Sequence, residues 1–502
     1  MIGREEEVAL LNGVIQRVIR EGRPHLVTIL GAPGVGKTRL LQEILALLPP
    51  SVAVRQGRSL PYGSTALWAV GEIIRTDCGI LRSDPPVAVT EKVRRRVAEL
   101  WGEEPESGEP QQITTHLARI LSIRGLSTDP SPEGSREDLF WALRRYFERL
   151  AAGAPVILAF EDLHWGDTEL LDLIEYVAQW ATGVPLLVTC LTRPELLEAR
   201  PTWGGGKRNY TSLFLDPLTN EHTERLLQEL LQTRKVPDAV GRAVTVAEGN
   251  PFFVEEILRM LMDAGVLRRR DGGWESTGSF TQSVPDTIHG VITARLDRLN
   301  REEKSALQEA SILGTRFWIG GLAHVTGESE TALLPVLTAL QSKDFLVEQG
   351  RSQLQGQREF AFRNLVIRDV AYAMLPKGRR SEKHQRFGVW LEQTYGERAE
   401  EFADLLAHHW GQAARLAHEI GLPEQWKEVA PKALGYALMA GRRAARVYAN
   451  EQALTYFEAA RALAEELGAD TERIAAIEGL ADVHALQAQW DEASRLYQEA
   501  LT

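Results

Sequence analysis

Cysteine, excess positive charge and long apolar runs are scarce or missing in this chain of 502 residues. Its two cysteines, Cys78 and Cys190, are far apart in sequence, which excludes a disulfide framework and favours a reducing, cytoplasmic location. No apolar run reaches about 18 residues, so no membrane span is expected. The charged opening, Gly3-Arg4-Glu5, gives no secretory signal pattern.

The charge balance also narrows the choice of partners. Lysine plus arginine number 57 and aspartate plus glutamate 69, for a net charge of −12. This balance argues against nucleic-acid binding by the chain as a whole. The chain is 44% hydrophobic and 25% charged, as in ordinary globular proteins, and its length allows about three or four domains.

The strongest positive signal is a phosphate-loop motif, GxxxxGK[ST], at residues 31–38. An apolar run at 26–30 predicts a strand before it, and the pattern at 39–45 predicts a helix after it, which is the context that the motif requires. Lys37 is expected to reach the β- and γ-phosphates, and the Thr38 hydroxyl to bind Mg²⁺. The alternative is a glycine-rich turn without a ligand. The residues expected at the nucleotide are Gly31, Gly34, Val35, Gly36, Lys37, Thr38 and Arg39.

An acidic pair ends a second apolar run. Residues 156–160 predict a strand buried on both faces, and Glu161 and Asp162 follow at its carboxyl end, where open α/β sheets bind ligands. One carboxylate would hold Mg²⁺ and the other would polarise the attacking water. The order of these two roles is open at this stage, and so is the alternative of a polar strand end without a role.

Two further side chains follow predicted strand ends. Arg193 ends the fourth strand, where its guanidinium could contact the γ-phosphate or form a surface ion pair with Glu195. His164 could orient a water, although packing beneath the sheet is the favoured interpretation. No His/Cys cluster suggests a metal site beyond Mg²⁺.

The order of predicted elements indicates a multidomain α/β plus α fold. Strands alternate with helices over 1–218, among them a short second strand at 52–54, which predicts a parallel P-loop NTPase sheet with helices on both faces. Residues 79–135 are expected to be a helical, solvated insertion. Residues 219–284 predict a helical lid, with helices at 220–232, 237–248 and 251–264, a turn-rich hairpin at 271–274 and a polar stretch at 275–283. Residues 285–378, with two short strands at 345–349 and 358–362, resemble a winged helix. Residues 379–502 are alanine-rich and helical.

An internal repeat lies near the end of the chain. Four positions recur after 40 residues with the same internal spacing, and their small and aromatic residues match the tetratricopeptide (TPR) pattern. The array is expected to include earlier helices and to continue in a longer protein. The matching positions are Gly441, Ala453, Phe457 and Ala460, then Ala481, Ala493, Tyr497 and Ala500.

Together these motifs resemble the STAND class of signal-transduction ATPases. The branch concerned is the AAA type that is often linked to nucleotide cyclases or LuxR-type regulators, and the resemblance covers about residues 1–500. It implies an ATPase core, lid, winged helix and TPR sensor, with ATP, ADP and Mg²⁺ as cofactors. The segments that carry it are Gly3-Arg4-Glu5, the loop at 31–38, and the segments 161–165, 192–195 and 249–253.

The resemblance also implies a mechanism. In that class ADP holds a closed, inactive monomer, and a ligand or protein partner at the repeats permits exchange for ATP, opening and self-association, with slow hydrolysis. Gly3 and Arg4 would lie beside the adenine, and Pro251 would close over the base and ribose. Relatives often carry a histidine where this chain has Asn364, so Asn364 or Arg363 would have to contact the ADP β-phosphate.

Two other functions compete with the switch. Origin-recognition ATPases also place a winged helix after the lid, so a DNA-handling loader is one alternative, although the net charge and the repeats weigh against it. The other is a scaffold protein that nucleotide merely stabilises.

Overall fold

The computed structural model describes residues 1–60, 67–102, 108–121, 135–270, 273–276, 284–350 and 352–501. The predicted hairpin turn and the polar stretch after it lie partly outside these ranges. Within them, no helix is both long and apolar enough to cross a membrane.

The N-terminal part is built on a parallel sheet of five strands in the order β2-β3-β4-β1-β5. Because β4 lies between β3 and β1, the carboxyl ends of these three strands meet at one edge. The strands are β1 (His25–Gly31), β2 (Ala53–Arg58), β3 (Val156–Glu161), β4 (Leu186–Thr192) and β5 (Tyr210–Leu215). The helices are α1 (Glu5–Glu21), α2 (Lys37–Ala46), α3 (Trp68–Asp77), α4 (Pro86–Trp101), α5 (Glu109–Ile120), α6 (Arg136–Gly153), α7 (Thr168–Trp180) and α8 (Glu195–Ala199).

The central strands are mostly apolar because both faces of the sheet are covered. In β3, Val156, Leu158 and Phe160 pack into the core that α3–α7 complete. The alternate residues, Ile157 and Ala159, pack into the core under α1 and α2. This two-sided burial accounts for the unbroken apolar run that predicted the strand.

The prediction of a solvated surface insertion at 79–135 is wrong for its described part. The apolar faces of α4 and α5, which include Val89, Val93, Val97, Ile113 and Leu117, are exposed by 2% or less. They belong to the same core as α6 and the sheet. The proline- and glutamate-rich segments between the helices suggested exposure, whereas the helix faces themselves carry apolar residues at a spacing of four.

A small helical unit, the predicted lid, follows the sheet. A 3₁₀ turn at Val244–Ala247 interrupts the helix that was predicted over 237–248. The elements are α9 (Asn220–Leu231), α10 (Asp238–Ala243), α11 (Pro251–Asp263), β6 (Leu267–Arg270) and β7 (Gly273–Ser276).

The next unit has the helices and antiparallel sheet typical of a winged helix. The sequence predicted two strands here, but the sheet has three, in the order β8-β10-β9, because the three residues of β8 are too few to show a pattern. The elements are α12 (Ile288–Leu296), α13 (Arg301–Leu313), β8 (Arg316–Trp318), α14 (Ile319–Thr326), α15 (Glu330–Ser342), β9 (Leu346–Glu348), β10 (Glu359–Phe362) and α16 (Leu365–Ala373).

Six helices complete the chain, each packed on the next. The Phe457 ring lies against Gly441 and Gly479, where an added Cβ would come within 2.8 and 2.5 Å of the ring. The predicted α/β plus α fold with a C-terminal helical solenoid is confirmed, and the tetratricopeptide assignment stays a prediction. The helices are α17 (Lys377–Tyr395), α18 (Ala403–Glu419), α19 (Pro423–Arg446), α20 (Asn450–Leu467), α21 (Asp470–Leu486) and α22 (Trp490–Ala500).

The structure also brings together a histidine cluster that the sequence did not predict. His384 from α17 lies beside His408 and His409 from α18, with one ring nitrogen of each within 4.8 Å of the others. The expectation of no His/Cys cluster was wrong because His384 is remote in sequence from the other two. Only the packing of α17 on α18 makes the three rings neighbours.

Candidate nucleotide-binding site

The loop after β1 has the backbone that phosphate binding requires. Gly34 and Gly36 have φ of +81° and +105°, which side chains other than glycine rarely adopt. Helix α2 begins at Lys37, so its free N–H groups and its positive dipole end face the space above the loop. The Lys37 ammonium donates to the carbonyls of Gly31 (2.7 Å) and Ala32 (3.0 Å), which holds it over the loop.

Glu161 lies beside the Thr38 hydroxyl, as the pairing of loop and acidic strand end predicted. Thr38 Oγ1 donates to Glu161 Oε2 over 3.3 Å. The two side chains offer oxygen ligands, which Mg²⁺ prefers, one from the first turn of α2 and one from the end of β3. They therefore fit a magnesium ion bound with nucleotide phosphates.

Arg58 is a site residue that the sequence analysis missed. It ends β2, in register with Glu161 on β3. Its Nη2 donates to Glu161 Oε2 (3.0 Å), and its Nε lies 3.5 Å from Asp162 Oδ2. The positive charge of the guanidinium thus offsets the negative charges of both carboxylates. The predicted second strand stopped at Val54, so Arg58 fell beyond it.

Asp162 has a different environment from Glu161. Its φ of +55° turns the chain sharply after β3, and its side chain lines the central cavity. Loss of hydration raises the pKa of the Asp162 carboxyl, while the Arg58 guanidinium opposes that rise. The position suits a carboxylate that contacts a water rather than one that is fully committed to an ion pair.

Arg193 and His164 both line the same cavity. The Arg193 guanidinium lies 5.9 Å from the centre of the Trp165 ring and forms no ion pair with Glu195 among the described contacts, so the surface-pair alternative is not observed. Burial, with Arg193 and Lys37 nearby, lowers the pKa of His164 to about 3. His164 is therefore a neutral ring in the cavity wall, not a histidine packed beneath the sheet.

The predicted lid contacts the loop through residues around Pro251. Asn250 Nδ2 donates to the Pro33 carbonyl (2.9 Å), and the Phe252 N–H donates to the Gly34 carbonyl (3.3 Å). Asn250 also caps α11, because its Oδ1 accepts from the Phe253 N–H. Pro251, predicted to cover the base and ribose, lines the cavity at the first position of α11. Asn250 and Phe252 were in the recognised motif, but no role was assigned to them.

Gly3 and Arg4, near the N-terminus, lie beside the phosphate loop. Arg4 is 4% exposed and donates to the backbone carbonyls of Val35 (3.5 Å) and Asp216. Gly3 has φ of +64° and is close to His222, where a Cβ would come within 2.7 Å of the ring. Arg4 therefore forms part of the cavity wall that was expected beside the adenine, and Gly3 lies behind that wall.

The predicted winged-helix unit supplies another part of the cavity wall. Arg363 and Asn364 both line the cavity, as the resemblance implied. Asn364 Oδ1 accepts from the Val366 N–H (2.9 Å) and caps α16. Arg363 Nη1 is 2.9 Å from Asp344 Oδ1. Capping occupies the carbonyl oxygen of Asn364, so its amide group is the part that could donate to a phosphate.

The resulting cavity has a volume of about 790 Å³, within the usual range for sites that hold a small organic ligand. Arg39 is at its rim, with a side chain that is 71% exposed and 3.5 Å from Glu43. Most of the predicted site residues thus line one space, whereas Gly3, Gly31 and Glu161 are not among the residues that line it.

Nucleotide affinity is expected to fall as the pH rises above about 8. Burial lowers the pKa of Lys37 to about 8, whereas bound phosphates favour the ammonium form. The complex then holds more protons than the free protein, and the affinity drops by up to about tenfold per pH unit. Titration with a fluorescent ATP analogue from about pH 7 to about pH 9.5 measures this dependence. The control is Lys37→Arg, whose side chain stays charged throughout this pH range. A decline in nucleotide affinity of equal slope in that variant would show that Lys37 is not the titrating group.

The comparisons with known proteins agree with the site geometry. Residues 1–189 match the family model described as an AAA ATPase domain. An uncharacterized protein of Rhizobium meliloti (strain 1021) is 26% identical over 454 residues, which is 84% of this chain and 40% of the relative. The chain therefore spans less than half the length of this curated relative.

Solved structures with detectable likeness share little sequence with the chain. A STAND protein with a tetratricopeptide repeat sensor from Pyrococcus horikoshii is 13% identical, with a TM-score of 0.43, over 100% of this chain and 76% of that one. Aeropyrum pernix ORC1, solved in complex with DNA, is 14% identical with a TM-score of 0.32, over 74% of this chain and 93% of that one. The loop, the acidic strand end and the sheet order are those of a P-loop NTPase fold, and they lie in or beside the region that matches the AAA ATPase domain model.

Proposed function

We propose that the protein is an ATP/ADP-binding molecular switch with slow ATP hydrolysis. The observation that carries the proposal is the composition of the cavity wall, to which the sheet domain, the lid and the winged-helix unit all contribute. A nucleotide in this cavity would contact all three units at once. The presence or absence of a γ-phosphate would then change the energy of holding the winged-helix unit against the sheet domain.

The chemistry assigned to each residue follows from its position. Lys37 and the loop N–H groups would hold the β- and γ-phosphates, and Thr38 with Glu161 would hold Mg²⁺, which neutralises charge on the phosphates. Asp162, at the cavity wall, would accept a hydrogen bond from the attacking water. Arg193 would donate to the γ-phosphate, where negative charge accumulates.

Contacts between the units support a closed state that a sensor could open. The Arg82 side chain donates to Gln353 in the segment between β9 and β10 (2.5 Å), and the Arg82 carbonyl accepts from Arg398 before α18 (2.9 Å). Thr168 at the start of α7 donates to Glu451 of α20 (2.6 Å). A ligand or protein bound to the C-terminal helices would compete with these contacts and favour opening.

Asp162→Asn is expected to lower ATP hydrolysis by about 100-fold or more and to leave Mg²⁺-ATP binding nearly unchanged, because it removes only the water-orienting carboxylate. Asparagine tolerates the positive φ at this position, so the backbone is preserved. Glu161→Gln is the matched comparison, and it should weaken Mg²⁺-dependent binding by about tenfold or more. Phosphate release and nucleotide titrations with and without Mg²⁺ distinguish the two. An exchange of the two phenotypes would reverse the assigned roles.

The switch itself is tested on the whole chain by light scattering. The purified protein is expected to carry ADP and to be monomeric, and the Asp162→Asn variant loaded with ATP is expected to have a larger mass. Wild-type protein without bound nucleotide and without measurable ATP affinity would overturn the proposal. An unchanged mass in the ATP-loaded variant would favour a nucleotide-stabilised scaffold.

A further inference from the structure

We propose that the histidine cluster of His384, His408 and His409 is a binding site for one transition-metal ion, with Zn²⁺ as the expected occupant. The cluster joins α17 to α18 and is separate from the nucleotide cavity. Zn²⁺ binds imidazole nitrogen, and few other abundant cations do so. Three such ligands leave a fourth coordination position open.

The spacing of the nitrogens suits a single ion. One nitrogen of each ring lies within 4.8 Å of the others, and His384 Nδ1 is 2.9 Å from His409 Nδ1. Bonds of 2.0–2.1 Å in a tetrahedral site place nitrogens about 3.4 Å apart. The rings of His384 and His409 would therefore need to move apart by only a few tenths of an ångström to admit the ion.

A neighbouring hydroxyl orients one of the ligands. The hydroxyl of Tyr372, from α16, is 3.0 Å from His384 Nε2, which leaves Nδ1 as the atom that faces the cluster. Such second partners are usual for metal-bound histidines. Nε2 of His409 is buried without a hydrogen-bond partner among the described residues, so this ring has an unused lone pair or N–H. His408 is only partly buried, which gives the ion a path from solvent.

The charges around the cluster shape the expected coordination. Arg368, Arg380 and Arg415 face the cluster and disfavour a cation. A fourth ligand that is an anion, such as hydroxide or chloride, would offset this repulsion.

The experiment uses untagged, full-length protein that has been stripped of metal with a chelator. Co²⁺ is titrated in excess Mg²⁺ without nucleotide, the visible absorption of tetrahedral Co²⁺ is recorded, and Zn²⁺ is then added. One equivalent of Co²⁺ is expected to bind and to be displaced by Zn²⁺. Excess Mg²⁺ keeps the nucleotide site from contributing.

Variants make the test specific. His408→Gln is expected to weaken binding by at least about tenfold, and because this side chain is partly exposed, the variant should fold. His418→Gln, on the same helix with a side chain that is 67% exposed, is the matched control and should bind as the wild type does. Tyr372→Phe keeps all three ligands and should show weaker binding with the tetrahedral spectrum retained. Absence of the spectrum in the wild type, or equal binding by His408→Gln, would show that the cluster is a metal-free hydrogen-bonded core.

Discussion

Lys37→Ala should abolish measurable nucleotide binding. In the free protein the ammonium donates to two loop carbonyls and to no other group among the described residues, so its loss costs the fold little. In the complex it would donate to two charged phosphates, and hydrogen bonds of that kind are worth roughly 1.5–3 kcal/mol each. A loss of about 3 kcal/mol or more corresponds to at least about 100-fold in affinity. Calorimetric titration with ADP and with Mg²⁺-ATP measures it.

The control for this variant is Lys207→Ala. Lys207 has a similarly buried side chain, 15% exposed, but it pairs with Glu175 (2.7 Å) away from the cavity. The Lys207→Ala variant should bind nucleotide as the wild type does. Retained affinity in Lys37→Ala, with an unchanged melting temperature, would show that the loop is not the main phosphate site.

Much of the sheet could be predicted because burial leaves a direct pattern in the sequence. Strands β1, β3 and β4 are buried on both faces and read as unbroken apolar runs. Strand β2 is at the edge of the sheet, and its residues 53–58 are mostly polar and partly exposed. Its prediction stopped at Val54, and Arg58 was lost from the site as a result.

The residues that close the cavity show which features a sequence pattern can predict and which it cannot. The Gly249-Asn250-Pro251 motif could be recognised, but only the structure gives its physical basis. A Cβ at Gly249 would come within 2.1 Å of the Leu218 carbonyl, so a side chain there would displace the lid from the sheet domain. Asn250 then caps α11 and bonds to the phosphate loop. Contacts of this kind join segments too distant in sequence for any local pattern to predict.

The dependence on contacts between distant segments also explains the two predictions that were wrong. The loops of the 79–135 insertion are polar, and the tertiary contacts of α4 and α5 decided their burial. The histidine cluster depends on one helix packing on the next. In both cases the missing information was which helix face meets which neighbour, a property of the assembled fold.

Arg295→Met should destabilise the junction between the lid and the winged-helix unit by about 3 kcal/mol. Arg295 is 1% exposed; its Nη1 is 2.5 Å from Glu256 of α11, and its Nη2 donates to the Lys343 carbonyl (2.7 Å). Removal of one partner of a buried ion pair usually costs about 3–5 kcal/mol. The lower end applies because Arg259 also reaches Glu256 (2.7 Å). The measurement is the midpoint of urea unfolding.

The same variant tests whether the lid and the winged-helix unit act together on the nucleotide. Helix α11 begins at the cavity with Pro251, so a loosened junction should also weaken ADP binding. Arg301→Met, an exposed arginine at the start of α13, is the matched control and should change neither property. The double variant Glu256→Gln with Arg295→Met should recover part of the stability, because no unpaired carboxylate stays buried. If Arg295→Met unfolded at the same urea concentration as Arg301→Met, the buried pair would not be what couples the two units.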